Sequence, residues 1–154
     1  GTKSSGLRVD SGMSLVRREA VKNNQEMDKP HKKLDLWNTA MDLAVTVYQV
    51  TDSFPREERY ALTNQVRRAV ASVPSNVAEG AGRQTKKEFI NYLHMAQGSL
   101  SELDTHLELA KRLGYLAQDN WEIIAGRMER IDKMLSGLIR HQKRNIVKSG
   151  DVKA

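Results

Sequence analysis

Phe89, Leu93, Ala96, Leu100, Leu103, Leu107 and Ala110 recur at alternating spacings of four and three, six intervals without a break. That period belongs to one face of an α-helix, whereas a half-buried strand would alternate every second residue. A helix this long must bury its stripe against other helices. Its start is marked by Thr85-Lys86-Lys87-Glu88, the capping-box pattern, and its end by Lys111, Arg112 and Gly114. Gly98 and Ser99 in the middle are poor helix formers, the glycine costing up to about 1 kcal/mol, and they predict a close crossing with a neighbouring helix.

Three further helices are legible around this one. The first runs from Leu34 to Ser53 and carries two apolar stripes, Leu34, Trp37, Met41, Ala44 and Tyr48 on one side and Leu36, Ala40, Leu43, Val47 and Val50 on the other. A helix in an isolated four-helix bundle needs one buried face, so the second stripe, with Leu36, Leu43, Val47 and Val50, is expected to form a subunit interface. Ser53-Phe54-Pro55 followed by Glu57 and Glu58 reads as a turn into the second helix, with Ser53 as its cap. That helix keeps its stripe, Leu62, Val66, Val70, Val73 and Val77, straight through Pro74. An internal proline costs about 3 kcal/mol. The neighbouring Arg68, Asn76 and Glu79 are expected to compensate as a polar lock, with an Arg68–Glu79 ion pair at the kink. The fourth helix spans Asp119 to Gln142, with Trp121, Ile124, Met128, Ile131, Leu135 and Leu138 facing in. Four amphipathic helices with short connections make an all-α, up-down-up-down bundle over residues 34–142, with a basic N-terminal arm (1–33) and a basic C-terminal tail (143–154). Met13 and Met27 are each candidate native initiators, which would make residues 1–12 an addition to the natural chain.

The 154 residues, 39% hydrophobic and only 5% aromatic, suit one helical domain. Cysteine is absent, which removes thiol catalysis, disulfides and cysteine-ligated metals. No apolar run reaches the length of a membrane span and no signal-peptide core is present, so a cytoplasmic protein is expected. The net charge of +6 is unevenly distributed. Residues 1–33 carry eight Lys/Arg against four Asp/Glu, residues 140–154 carry five against one, and the middle holds twelve against fourteen. In an up-down-up-down bundle both basic arms leave from the pole that also holds the second loop. Lys86 and Lys87 there oppose the macrodipole of their own helix. Arg83, Lys86, Lys87, Arg140, Lys143 and Arg144 are therefore the candidate nucleic-acid-binding residues, since phosphate contacts require convergent cations. Solvated surface charge is the competing reading of the same residues.

Enzymatic readings find little purchase. His94 and His106 lie twelve residues apart on one helix and neither belongs to a Glu-x-x-His pair, which removes a di-iron site; no metal ligands and no cofactor are expected. Gly80-x-Gly82 follows a helix and lacks the rest of a phosphate loop. Ser72, Ser99 and Ser101 have no His and carboxylate partners at telling spacings, so no catalytic residue is assigned. Trp37, Tyr48, Phe89 and Trp121 fall on apolar stripes and read as packing instead of base-stacking platforms.

Arg67 to Arg83, RRAVASVPSNVAEGAGR, and Ala96 to Leu103, AQGSLSEL, resemble a small bacterial four-helix-bundle family. It comprises proteins encoded by intervening sequences in 23S rRNA genes and the related accessory variability determinants of diversity-generating retroelements. The matching positions are Arg67, Arg68, Ser72, Pro74, Asn76, Ala78, Glu79, Gly80 and Arg83, then Glu88, Phe89, Ala96, Gly98, Ser99, Glu102 and Leu103. Gln97 departs, since many members are basic there. The resemblance covers residues 34–142 and implies a subunit of a homopentameric barrel. For the retroelement branch it implies binding to RNA or DNA and to a reverse transcriptase; for the rRNA-encoded branch it implies no established activity. The expected function is that of a non-enzymatic, oligomeric nucleic-acid-binding accessory protein, with an oligomeric protein-binding scaffold as the alternative.

Overall fold

The computed structural model describes residues 30–150. A 3₁₀ turn, Pro30–Lys33, leads into α1 (Asp35–Thr51), α2 (Leu62–Ala81), α3 (Lys86–Arg112) and α4 (Gln118–Ser149). Sequential helices pack side by side and α4 returns to α1, so each helix has two neighbours and the diagonals do not touch. This is the four-helix arrangement expected from the periods, and its core is one continuous apolar cluster. No helix among the described residues is long and apolar enough to cross a membrane.

The two stripes of α1 take roles opposite to those expected. Leu36, Leu43 and Val47 are buried within the chain and Val50 is half-buried, so the presumed interface stripe is core. The other stripe is the more open one: Met41 is 38% and Tyr48 44% exposed while Leu34, Trp37 and Ala44 are half-buried, and Val45, next to Ala44 and outside the stripe, is 55% exposed. The reason is that α1 lies between α2 and α4, and only the Leu36 side faces the centre of the square.

The loop into α2 also differs from its reading. Ser53 Oγ donates backward to Val50 O (2.9 Å), and a 3₁₀ turn at Arg56–Glu58 intervenes. Ala61 holds the N-cap position of α2 without a side-chain bond, and the carboxylate of Glu58, in the preceding turn, accepts from Leu62 N at 3.1 Å. An acidic group at a helix N-terminus satisfies a free donor and suits the dipole.

α2 runs unbroken through a buried Pro74. Proline has no N–H, and its ring crowds the carbonyl one turn back. Ser75 Oγ donates to Ala71 O (2.8 Å) and Asn76 Nδ2 to Ser72 O (2.9 Å), so side chains supply donors to carbonyls around the proline. Asn76 also donates to Ser72 Oγ (3.1 Å), which in turn bonds Ser99 Oγ of α3 at 2.8 Å. The polar lock is thus Asn76–Ser72–Ser99 and joins two helices. Arg68 and Glu79 take no part in it: both are exposed, and eleven residues of one continuous helix separate them by about 16 Å.

The close crossing of α2 and α3 is at Gly80, not Gly98. A Cβ built on Gly80 would lie 2.7 Å from Tyr92 Cβ and 2.8 Å from Phe89 Cδ2, whereas one on Gly98 would meet nothing within 4 Å. Phe89 therefore lies half-buried over Gly80, and Ile90 enters the core in its place. Thr85 Oγ1 accepts from Glu88 N (3.1 Å), as the capping pattern predicts. At the far end Tyr115 N bonds Ala110 O (2.9 Å) and Gly114 N bonds Lys111 O (3.0 Å), with Gly114 at φ +81°. That is a Schellman ending, for which glycine is the least strained residue.

α4 continues past Gln142 to Ser149. Lys143, Arg144 and Lys148 are consequently helical, and the C-terminal tail begins later than the composition implied. The N-terminal arm up to residue 29 lies outside the described residues.

Candidate nucleic-acid interface

Lys86 and Lys143 lie toward the same end of two antiparallel helices, about one helical turn apart in register. Gln97 Nε2 donates to Ser136 Oγ (3.1 Å) and lies 3.5 Å from Asp132 Oδ1, which fixes facing stripes on α3 and α4. Lys86 lies three helical turns before Gln97 on the same stripe, and Lys143 two turns beyond Ser136. Lys87 and Arg144 are their exposed neighbours, Arg140 lies one turn earlier on α4, and Lys148 one turn later. Arg83 is at the same end: its guanidinium stacks over the Tyr92 ring (4.8 Å to the centroid) and donates to the Tyr92 hydroxyl. Asp35, Glu79 and Glu88 are the acidic neighbours, so cations predominate at this pole. The first turn of α3 gains no dipole stabilisation from Lys86 and Lys87, and α4 carries its cations beyond the point where α1 begins.

Of the paired arginines, Arg67 holds structure together. It ion-pairs with Asp52 (Nη2 to Oδ1, 3.0 Å), donates from Nε to Thr51 Oγ1 (2.9 Å) and from Nη2 to Tyr48 O (3.2 Å), and stacks on the Tyr48 ring at 4.7 Å. A guanidinium at these last carbonyls of α1 complements that helix's negative end. The sequence signal was Thr51-Asp52 at a helix end. The carboxylate that Arg67 meets is that of Asp52. The side chain of Arg68, on the outer face of α2, makes no hydrogen bond or ion pair among the described residues, and neither does that of Glu79.

Beside Arg67 an open groove of about 670 Å³ runs between α1 and α2. Trp37, Met41, Ala44, Val45 and Tyr48 form one wall, and Ala71, Pro74, Ser75 and Ala78 the other. His31 closes one end, its ring edge-on to Trp37 at 5.0 Å. Of the aromatic residues read as core, Trp37 and Tyr48 thus line this groove, while Phe89 and Trp121 are half-buried against the core.

His94 Nδ1 bonds Gln97 Oε1 (3.2 Å) and His106 Nε2 sits 3.5 Å from Glu102 Oε1 on the next turn. Ser72 and Ser99 bond each other, and Ser72 Oγ also accepts from Asn76 Nδ2. Among the described residues no three His, Cys, Asp or Glu side chains gather as metal ligands.

An antiparallel four-helix bundle with an open apolar groove between its first two helices defines a small all-helical protein. More particularly, the chain belongs to the 23S rRNA-intervening sequence protein family, whose model matches residues 32–137. The basic turns of α4 from Arg140 onward lie beyond the matched span. A crystal structure of a protein of unknown function from the S23 ribosomal protein family of Bacteroides thetaiotaomicron is similar at a TM-score of 0.61 and 24% identity, covering 68% of this chain and 97% of that one. At that identity the likeness is one of fold. No curated protein is similar to the chain in sequence. The family match names the rRNA intervening-sequence proteins and lends no support to the retroelement branch.

Proposed function

We propose that this protein is a non-enzymatic, homo-oligomeric accessory protein whose basic pole binds the phosphates of RNA or DNA. The observation that supports this reading is that Lys86 and Lys143 lie toward the same end of the antiparallel α3 and α4, with Lys87 and Arg144 as their exposed neighbours. Cations so placed contact a phosphate backbone without reading bases, so little sequence preference is expected. Assembly multiplies the +6 of each chain within one particle and raises the attraction further. The pentamer implied by the family resemblance is part of this proposal, and so is a reverse-transcriptase partner, which a neighbouring gene for that enzyme would favour. Neutralising the pole with Lys86→Gln, Lys87→Gln, Lys143→Gln and Arg144→Gln tests it. Binding to single-stranded RNA, followed by fluorescence anisotropy, should weaken to a similar extent for unrelated sequences. Unchanged affinity in the four-fold variant would contradict the pole as the binding surface.

The second reading is an oligomeric scaffold that binds a protein. The exposed apolar groove between α1 and α2 favours it, because an open groove of this composition is a protein-contact surface. No measurable RNA or DNA affinity in the intact chain would select this reading over the first.

A further inference from the structure

The apolar groove opens where the described chain begins. The 3₁₀ turn Pro30–Lys33 packs against both α1 and α2, and its His31 closes the groove beside Trp37. The chain that precedes Pro30 therefore leaves from the mouth of the groove. Beyond that mouth Met41, Val45 and Tyr48 are exposed along one wall, across from Pro74 on the other. Within residues 1–29 the densest apolar segment is 13–21: Met13, Leu15, Val16, Ala20 and Val21 fall within nine residues, and Met13, Val16 and Ala20 keep the three-and-four spacing of a helix face. The eight residues from Lys22 to Lys29 that join this segment to Pro30 are polar apart from Met27. Fully extended they span up to about 26 Å, and the groove from Trp37 to Asp52 is about 22 Å of helix. The segment can reach any part of the groove.

We infer that the groove between α1 and α2 is the docking site of this chain's own residues 13–21, whose apolar side chains cover Met41, Val45 and Tyr48. Three observations select this occupant: the chain departs at the groove's end, an apolar segment lies within reach of it, and the residues between are of linker composition. A segment tethered at the mouth is present at an effective concentration on the order of millimolar, which a free partner at cellular concentration does not match. Docking removes apolar area of both the groove and the segment from water. The arm then acts as a strap across α1 and α2, and a protein that binds the groove has to displace it. The inference depends neither on RNA binding at the basic pole nor on assembly.

Because the chain has no cysteine, disulfide trapping in the full chain tests it cleanly. Val16→Cys is combined with Val45→Cys in the groove or, as a control, with Asp104→Cys, which is exposed on the α3–α4 side of the bundle. Disulfide formation in oxidised glutathione is followed on non-reducing gels and by mass spectrometry, with circular dichroism confirming helix content. The 16–45 pair should close within one chain, at least about tenfold faster than the 16–104 pair. Adding Met13→Ser, Leu15→Ser, Ala20→Ser and Val21→Ser keeps the tether and removes the apolar surface, and should slow the 16–45 disulfide by about tenfold or more. Equal rates for the two pairs, no disulfide at all, or a 16–45 rate indifferent to the serine substitutions would overturn the docking. A 16–45 disulfide found between two chains would also overturn it, in favour of an arm supplied by a second copy. RNA affinity measured on the reduced samples reports separately on the basic pole.

Discussion

Two glycines on neighbouring helices, alike in sequence and opposite in surroundings, show what the residue scale decides. At Gly80 an added methyl would sit well inside van der Waals contact with Tyr92 and Phe89. Gly80→Ala is expected to destabilise the fold by about 1–3 kcal/mol, the usual cost of overpacking, read as a lower urea midpoint at constant slope. At Gly98 the methyl meets nothing, so Gly98→Ala should stabilise by up to about 1 kcal/mol through helix propensity and a less flexible unfolded chain. A loss of stability there would show that Gly98 is crowded after all. Sequence reasoning placed the crossing at Gly98 because it weighed helix propensity. The true crossing depends on which glycine faces Tyr92, and no one-dimensional pattern carries that. The same gap explains the arginines: Arg67 and Arg68 are adjacent, and only the direction each takes from α2 separates a link to Asp52 from an outward charge.

Helices are the level at which the sequence was most informative. The alternating four-and-three period located the core of α3 almost residue for residue, from Leu93 through Leu100 and Leu107 to Ala110, and the Thr85 cap is where its pattern places it. Thr85→Ala should cost about 1 kcal/mol, measurable by thermal or chemical denaturation, with no loss if the cap were idle. For α1 the period gave two stripes and could not rank them, since both are apolar and ranking requires knowing that α2 and α4 flank it. The proline in α2 was legible as a problem, and its solution was only half legible. Asn76 was expected and participates, whereas Ser72 and Ser99, twenty-seven residues apart, meet only after α2 and α3 pack. A double-mutant cycle with Ser72→Ala and Ser99→Ala should return a coupling of about 0.5–1.5 kcal/mol; additive losses would mean that the two hydroxyls act independently.

On the scale of the whole molecule, topology turns scattered charge into a surface. Net charge and the up-down-up-down order together pointed to one basic pole, and α4 extends to Ser149, so Lys143, Arg144 and Lys148 are helical where composition alone read a tail. The family match covers the bundle and stops before these last turns, so the cationic part of α4 has to be argued from this chain's own residues. The most direct measurement is the salt dependence of RNA binding by the full chain. If the pole binds phosphates, the logarithm of the association constant for a single-stranded RNA should fall linearly with the logarithm of salt concentration, by about 0.7 for each phosphate contacted. Removing Lys86, Lys87, Lys143 and Arg144 should flatten that line. An affinity unchanged from about 50 to 200 mM salt would contradict the basic pole as a nucleic-acid-binding surface.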